Sequence, residues 1–474
     1  MAKADLQLPL ATPLANIKWR IPRINNRKMS TLRNLIMDKK RILVLGAGMV
    51  VKPAVDYFLD KCNYHVTIAT RTVSKAHEII GGRENTTVIQ WDAADFEKLD
   101  KMVPEADLVV NFIPPIYQVV STKICIKHKK HMIHTDFTIP EVTLMDDEAK
   151  KADVIILNEI GEDPGIDHMG IKKSLDEIKR KGGKVISLDS YGAGLPSFED
   201  NRNPFGYKFS WNPKGLMKSS MASGEYIKEG KIIEAINLFD HFRIVDLEGL
   251  GTFETYPNRK CAVYKEPYGL DDNVSFYRGL LRFTGWCNTM RKFMKLNLLD
   301  HSTVNVYENL TYNEFASRLV NTSEDGAEAI ANYFNLETND DFINRLRWLG
   351  FFEDKQIAID KGSNVDVLVD LMLKRMSYQP HENDMAIIHD DIIVDFNGKR
   401  EKWSSTMVVN GILGGDSAMA MAVSLPVAIS ARLILEDKIT LRGSVLPIYP
   451  EIYNPVLEEL EEFGIKHSHR KRII

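Results

Sequence analysis

The sequence predicts an α/β protein built on a doubly wound parallel sheet, followed by a region that mixes helix and strand. Three observations carry this reading. Strand-like runs alternate with helical stretches from Arg41 to Leu157, and every parallel connection needs a crossover helix to cover the sheet. The first run, Arg41–Leu45, is apolar in four of its five residues and passes directly into Gly46-Ala47-Gly48. The 474 residues exceed what one hydrophobic core organises, so two or three domains are expected.

The first strand, Arg41–Leu45, stops at Gly46, and Gly46 with Gly48 permits a tight turn that brings the backbone close to a pyrophosphate. The helix that follows aims its free N–H groups at the phosphates. A strand, a Gly-x-Gly turn and a helix in this order read as Rossmann-like dinucleotide binding. Gly46, Gly48, Met49 and Val50 are the contact residues. Val51 replaces the third glycine of the usual pattern, so the helix should pack slightly farther from the strand.

The remaining strands of this sheet are expected at His65–Ala69, Thr86–Gln90, Leu108–Ile113, His131–His134 and Val154–Leu157, with helices such as Phe96–Met102 and Gln118–His128 between them. The second strand ends in Ala69-Thr70-Arg71-Thr72. An NAD enzyme usually has Asp or Glu there for the ribose hydroxyls. Arg71 and Thr72 suit a 2′-phosphate instead, which makes NADP the expected cofactor and NAD the alternative. Asp92, past the third strand, either reaches the adenine region or caps the next helix. Ile113 and Pro114 close the fourth strand, where the nicotinamide half of the cofactor would pass.

Composition excludes several classes. A formal net charge of -4 gives no basic footprint for nucleic acid. The longest charge-free apolar segment near the C-terminus, between Asp416 and Arg432, contains Pro426 and falls short of the roughly 20 residues of a membrane span. Cys62, Cys125, Cys261 and Cys287 form no C-x-x-C pair, which fits a reducing, cytoplasmic compartment. His128, His131 and His134 straddle a helix end and a strand, so no metal site is expected. Residues 1–38 are basic and lack a long apolar core; they read as a poorly ordered arm, with a transit peptide as the alternative.

After the sixth strand comes Asn158-Glu159-Ile160-Gly161-Glu162-Asp163-Pro164-Gly165-Ile166-Asp167-His168, leading into a helix that runs to about Lys181. Asp163 before Pro164 reads as an N-cap with a first-turn proline. The stretch also lies at a strand's carboxyl end, where ligands gather in such sheets. Ser187–Tyr191 reads as a strand, followed by Gly192-Ala193-Gly194-Leu195-Pro196 and then Asp200 to Trp211 as a long specific loop. Residues 212–285 mix helix and strand, 288–360 are helical, and 384–409 return to strands around an Asn397-Gly398 hairpin turn. Gly414–Leu435 reads as a buried apolar helix and His467–Arg472 as a solvated basic end.

The glycine turn and the Asn158–His168 run, together with Asn203-Pro204-Phe205-Gly206-Tyr207-Lys208-Phe209-Ser210-Trp211, Tyr256-Pro257-Asn258-Arg259 and Leu281-Arg282-Phe283, resemble the glutamate-forming saccharopine dehydrogenase family. The resemblance runs from about Arg41 to the end. It implies a Rossmann domain over 39–160, an α/β substrate and dimerisation domain with a mixed sheet over 161–286 and 361–410, a helical domain over 287–360, and a segment 411–474 returning to the Rossmann domain. It also implies a homodimer and a small-molecule substrate. The implied reaction interconverts saccharopine, NAD(P)+ and water with L-glutamate, 2-aminoadipate 6-semialdehyde and NAD(P)H, in lysine metabolism.

Saccharopine carries three carboxylates, so its pocket needs cations. Arg259 and Arg282 match the family's substrate-binding arginines, and Lys208 is a further carboxylate partner. Asp163 matches a residue that contacts substrate and lies beside the nicotinamide, together with Glu162 and Pro164. Asp163 and His168 are the candidates for acid–base work on the imine.

Two positions depart from the family's pattern. Phe137 stands where a tyrosine is usual, and Gly192 where a cysteine is usual. Asp136 and Phe137 are expected in the substrate region, where an ionised Asp136 would repel a carboxylate. These departures raise two alternatives: a related N-carboxyalkyl amine dehydrogenase such as carboxynorspermidine synthase, or a non-catalytic cofactor-binding relative.

Overall fold

The computed structural model describes residues 39–474, so the arm expected over 1–38 lies outside the described residues. Strands β1 (Arg41–Leu45), β2 (His65–Thr70), β3 (Thr86–Gln90), β4 (Leu108–Asn111), β5 (His131–His134) and β6 (Ile155–Leu157) fall within two residues of their expected positions. They form one parallel sheet in the order β6-β5-β4-β1-β2-β3. A seventh strand from far along the chain, Gly443–Val445, adds in parallel to β6. Helices cover both faces, which is why these strands are apolar almost throughout. The order reverses between β1 and β4, and that switch point opens a crevice at the carboxyl ends.

The second sheet is mixed. Its strands are β7 (Lys184–Pro196), β8 (Gly224–Lys228), β9 (Lys231–Ala235), β10 (Arg243–Leu247), β11 (Gly251–Pro257) and β12 (Ser275–Arg282). After a small ribbon of β13 (Asn305–Val306) and β14 (Lys361–Gly362) come β15 (Asp384–Phe396) and β16 (Lys399–Asn410). Gly443–Val445 is β17 by its place in the chain, and β18 is His467–Ile473. The sheet runs β10-β11-β12-β7-β15-β16-β18, with β7 and β12 parallel, β8 attached to β12 and β9 to β8. The Asn397-Gly398 turn closes the β15–β16 hairpin as expected: both residues have positive φ, 54° and 90°, and Phe396 pairs with Lys399 across it.

β7 is longer than expected, because Gly192 and Gly194 lie inside it. They are glycines because other atoms occupy the space over them. A Cβ on Gly194 would sit 2.3 Å from Met419 Cε, and one on Gly192 would sit 2.4 Å from Asp163 Oδ2. The tail also differs from expectation. His467–Ile473 is not a loose basic end but the edge strand β18, paired along β16. Lys471 bonds Glu177 at 2.8 Å and lies over the Trp403 ring at 3.5 Å.

The apolar helix spans Ala418–Leu435. Ser417 caps it, and the Asp384 carboxylate accepts the N–H groups of Ala418 (2.6 Å) and Met419 (2.9 Å). With 18 residues and a mean hydropathy of 1.9 it is long and apolar enough to cross a membrane, contrary to the expectation that this segment is too short. Within the protein, 89% of it is buried. It shares one core with Val51, Ala54, Val55 and Phe58 beside the first sheet and with Ala386, Ile388, Met407 and Val409 of the second. On the far side of the second sheet, helices Trp286–Lys295, Tyr312–Leu319, Gly326–Phe334, Asp341–Leu349 and Asn364–Met376 enclose a separate core rich in aromatic side chains.

Candidate active site

The nucleotide end is built as its glycines predict. Gly46 has φ +109° and its N–H donates to the Ala69 carbonyl at 2.8 Å. A Cβ on Gly48 would meet no protein atom within 4 Å, so the fold itself does not demand glycine there; a ligand lying against the loop would. Met49 is exposed beside it and Val50 is half-buried. Val51 is fully buried at the start of a short helix, Lys52–Asp56. Arg71 and Thr72 are exposed at the carboxyl end of β2, and Arg71 has no ion-pair partner among the described residues. These features fit a dinucleotide bearing a 2′-phosphate. Asp92 accepts the Ala94 N–H at 2.9 Å, while the helix cap falls to Asp95. Ile113 and Pro114 follow β4 at the crevice, and the Ile113 N–H is held by Asn111.

At the carboxyl end of β6, Asp163 is not a helix cap. The cap residue is Gly165, with φ +146°, where any Cβ would strike the Gly161 backbone at 2.1 Å. Asp163 and Pro164 therefore stand ahead of the helix Ile166–Arg180, and the Asp163 carboxylate turns toward the second sheet. There it accepts Asn258 Nδ2 at 3.0 Å and Arg278 Nη2 at 2.8 Å. Arg278 also binds Asp167, whose other oxygen accepts the Gly165 N–H at 2.6 Å. Burial pushes the Asp163 carboxyl up to about 6 against the pull of Arg278. Burial and the Asp163 and Asp167 charges push Glu162 well above the usual carboxylate range, and its Oε1 has no hydrogen-bond partner.

His168 sits elsewhere than expected. It is fully buried, with Nε2 hydrogen-bonded to the Glu159 carboxylate at 2.8 Å and Nδ1 hydrogen-bonded to the Tyr268 hydroxyl at 2.5 Å. Tyr264 donates to the same Glu159 oxygen at 2.8 Å. Both ring nitrogens of His168 are hydrogen-bonded to the protein, which leaves neither free for direct contact with a substrate and ties the helix start after Asp163 to Glu159 and Tyr268.

The arginines divide into three kinds. Arg259 is exposed, has φ +61°, makes no ion pair among the described residues and lies 5.6 Å from the Phe137 ring. Arg282 is 3% exposed and makes no ion pair among the described residues, with the Glu162 carboxyl facing it; its Nη1 donates to the Leu281 carbonyl, its Nε is unpartnered, and the rings of Tyr207, Tyr256 and Trp286 surround it. An unneutralised guanidinium at that depth is a site for an anion. Arg278 is the third kind, committed to the protein's own carboxylates. Lys208 is also committed, since its ammonium is paired with Glu382, which removes it as a free carboxylate partner. Asp136 accepts the Phe137 N–H at 2.8 Å, and burial raises its carboxyl toward neutrality. The Arg259 guanidinium faces it and offsets its repulsion of a substrate carboxylate.

Sequence reasoning missed Arg278, Asn258, Glu159 and Asp390. Strand period could have found Arg278, which is four residues before Arg282 and so on the same face of β12. Ser190 and Gly192 on β7, and Asp390 on β15, share that face through the strand register. The three histidines meet no common point: His134 binds Asn111 and Thr122, His131 accepts the Ile155 N–H, and His128 pairs with Asp100.

Residues 42–157 match the family model for the saccharopine dehydrogenase NADP binding domain, and residues 161–465 match that for the saccharopine dehydrogenase C-terminal domain. The chain belongs to the saccharopine dehydrogenase family. The chain is 32% identical to the saccharopine dehydrogenase [NADP(+), L-glutamate-forming] of Schizosaccharomyces pombe, covering 90% of this chain and 97% of that protein. It is also 32% identical to the alpha-aminoadipic semialdehyde synthase of Arabidopsis thaliana, of whose length it spans 44%. Among solved structures, the apo saccharopine dehydrogenase (L-Glu forming) of Saccharomyces cerevisiae superposes with a TM-score of 0.82 at 30% identity, covering 91% of this chain and all of that one. The fold expected from the family resemblance is the fold observed.

Proposed function

We propose that this chain is an NADP-dependent, glutamate-forming saccharopine dehydrogenase of lysine metabolism. The observation that carries the reading is Arg282, a buried guanidinium with no ion pair among the described residues, facing Glu162, the neighbour of an Asp163 carboxyl pushed up to about 6. A substrate rich in carboxylates supplies what Arg282 lacks, and exposed Arg259 supplies a second docking point. Gly46, Gly48, Met49, Val50, Arg71 and Thr72 would hold NADP, with Asp92, Ile113, Pro114, Glu162 and Pro164 along the crevice. When bound, NADP+ supplies the hydride acceptor.

The residues then handle protons. Water attacks the substrate's protonated imine carbon, and Asp163 takes the proton that water loses. Asp163 returns it to the nitrogen, and the C–N bond breaks. The remaining hydroxyl proton follows through Asp163, so glutamate leaves as its ammonium form and the carboxylate is regenerated. A group that titrates near 6 can serve in both directions. Asp136 accepts the Phe137 N–H and faces Arg259, so it is not a free anion for a polyamine substrate such as carboxynorspermidine. The poised Asp163 speaks against a non-catalytic relative.

We further assign residues 39–160 to nucleotide binding, 161–286 and 361–410 to substrate binding and dimer contact, 287–360 to the helical cover, and 411–474 to the tie between them. A cytoplasmic homodimer completes the proposal; four free thiols are compatible with a reducing compartment. Absorbance at 340 nm during incubation with saccharopine and NADP+ tests the activity. Reduced cofactor should accumulate with saccharopine, and a flat trace with both NADP+ and NAD+ would remove the reading.

A further inference from the structure

The Asp163 carboxylate and the α-carbon of Gly192 compete for one small volume. A Cβ on Gly192 would lie 2.4 Å from Asp163 Oδ2 and 3.0 Å from Asp163 Cβ. Gly192 stands mid-strand in β7 without a positive φ, so glycine is needed there for space and not for backbone freedom. Two donors hold Asp163 in that space, Asn258 at 3.0 Å and Arg278 at 2.8 Å.

Arg278 has no freedom to follow a displaced partner. It is 2% exposed, it rises from β12 between β11 and β7, and its second carboxylate, Asp167, is itself fixed to Gly165. The rings of Tyr264 and Phe137 lie 4.8 and 5.7 Å from its guanidinium. Its Nη1 is buried with no hydrogen-bond partner, and the Asp167 and Asp163 charges hold the guanidinium firmly cationic against the cost of its burial.

We propose that Arg278 is the positioning residue of this active site, and that together with the space left by Gly192 it fixes the Asp163 carboxylate where it exchanges protons with the substrate. Arg278 touches neither substrate nor cofactor in this role. The proposal rests on the saccharopine reading for its substrate, and it stands without that reading for the behaviour of Asp163 itself. The charged and titratable groups that face Asp163 are Glu162, Asp167 and His168 on its own segment and Arg278 from β12; Asn258, after β11, is its neutral partner.

The test is a carboxyl-13C NMR titration of the NADP-bound enzyme labelled in its aspartates, with the Asp163 signal assigned by Asp163→Asn. In Arg278→Gln the midpoint of Asp163 should rise by more than one pH unit, because the nearest positive charge is gone. In Arg278→Lys it should move less. In Gly192→Ala it should also rise, because the methyl group pushes the carboxylate off both donors. In parallel, the acidic limb of the kcat/KM profile should move with the NMR midpoint, and kcat at pH 7 should fall at least tenfold in Arg278→Gln and Gly192→Ala with NADPH binding retained. An Asp163 midpoint unchanged in Gly192→Ala and in whichever Arg278 variant binds NADPH would overturn the proposal. If the wild-type enzyme fails to oxidise saccharopine, the substrate reading falls while the NMR comparison still decides the role of Arg278.

Discussion

At the scale of single residues, the site separates charge that serves the fold from charge that serves a ligand. Arg278 and Lys208 are ion-paired by the chain, whereas Arg71, Arg259 and Arg282 make no ion pair among the described residues, although Asp136 faces Arg259 and Glu162 faces Arg282. For Arg71 the expected outcome is specific. Arg71→Ala should raise the KM for NADP+ roughly 10- to 100-fold, the worth of about 1.5–3 kcal/mol for a charged hydrogen bond, and leave the KM for NAD+ nearly unchanged. Parallel initial-rate measurements with both cofactors check this; an equal effect on both would sink the 2′-phosphate assignment. Arg71, Arg259, Arg282 and Asp163 stood out in the sequence because each sits in a local motif or matches one of the family's. Arg278 and Asp390 could not, since their meaning comes from strands far apart in the chain that the register brings to one face. His168 and Lys208 misled for the same reason: Tyr268 and Glu382, which occupy them, lie 100 and 174 residues away.

At the scale of elements, the six strands of the parallel sheet were legible because each is a short apolar run bounded by polar turns. β7 and β18 were not. Glycines 192 and 194 looked like the end of the strand and the start of a loop, and a run of histidine, arginine and lysine looked like a solvated tail; both form strands because partners on neighbouring elements fill their faces. The Asn397-Gly398 turn was legible from two residues alone. Its left-handed geometry makes a sharp prediction: Gly398→Val should destabilise the enzyme by about 1–2 kcal/mol, since a β-branched residue is strained at φ 90°. Urea denaturation reads the loss, and a midpoint equal to wild type would show that the turn does not pin the hairpin.

At the scale of the whole molecule, the site is held by a buried charge cluster that makes stability depend on pH. Burial pushes the Asp390 carboxyl up to about 8, with neither oxygen hydrogen-bonded and Ser190 opposite it in the strand pair. The folded state then keeps a proton that the unfolded chain releases near pH 4, so Asp390 costs progressively more stability as pH rises from about 4 to about 8 and no more beyond. Asp390→Asn should therefore stabilise the protein, by an upper bound of about 5 kcal/mol at pH 8 and by much less at pH 5. Denaturant melts at the two pH values decide it; equal gains at both would mean Asp390 is ionised in the folded enzyme.

The path of the chain has a consequence for its synthesis. β6 receives its outer neighbour only when β17 arrives, an interval marked by the 286 residues between Asn158 and Ser444, and β16 waits until β18 to be covered. At roughly 5–20 residues per second, a ribosome leaves the edge of β6 open for about 15–60 s. An uncovered strand edge is a template for pairing with another chain. The nascent polypeptide is thus most prone to self-association before its last 30 or so residues emerge, roughly the span from β17 to β18, and slowed translation through that span would lower yield without altering the finished enzyme.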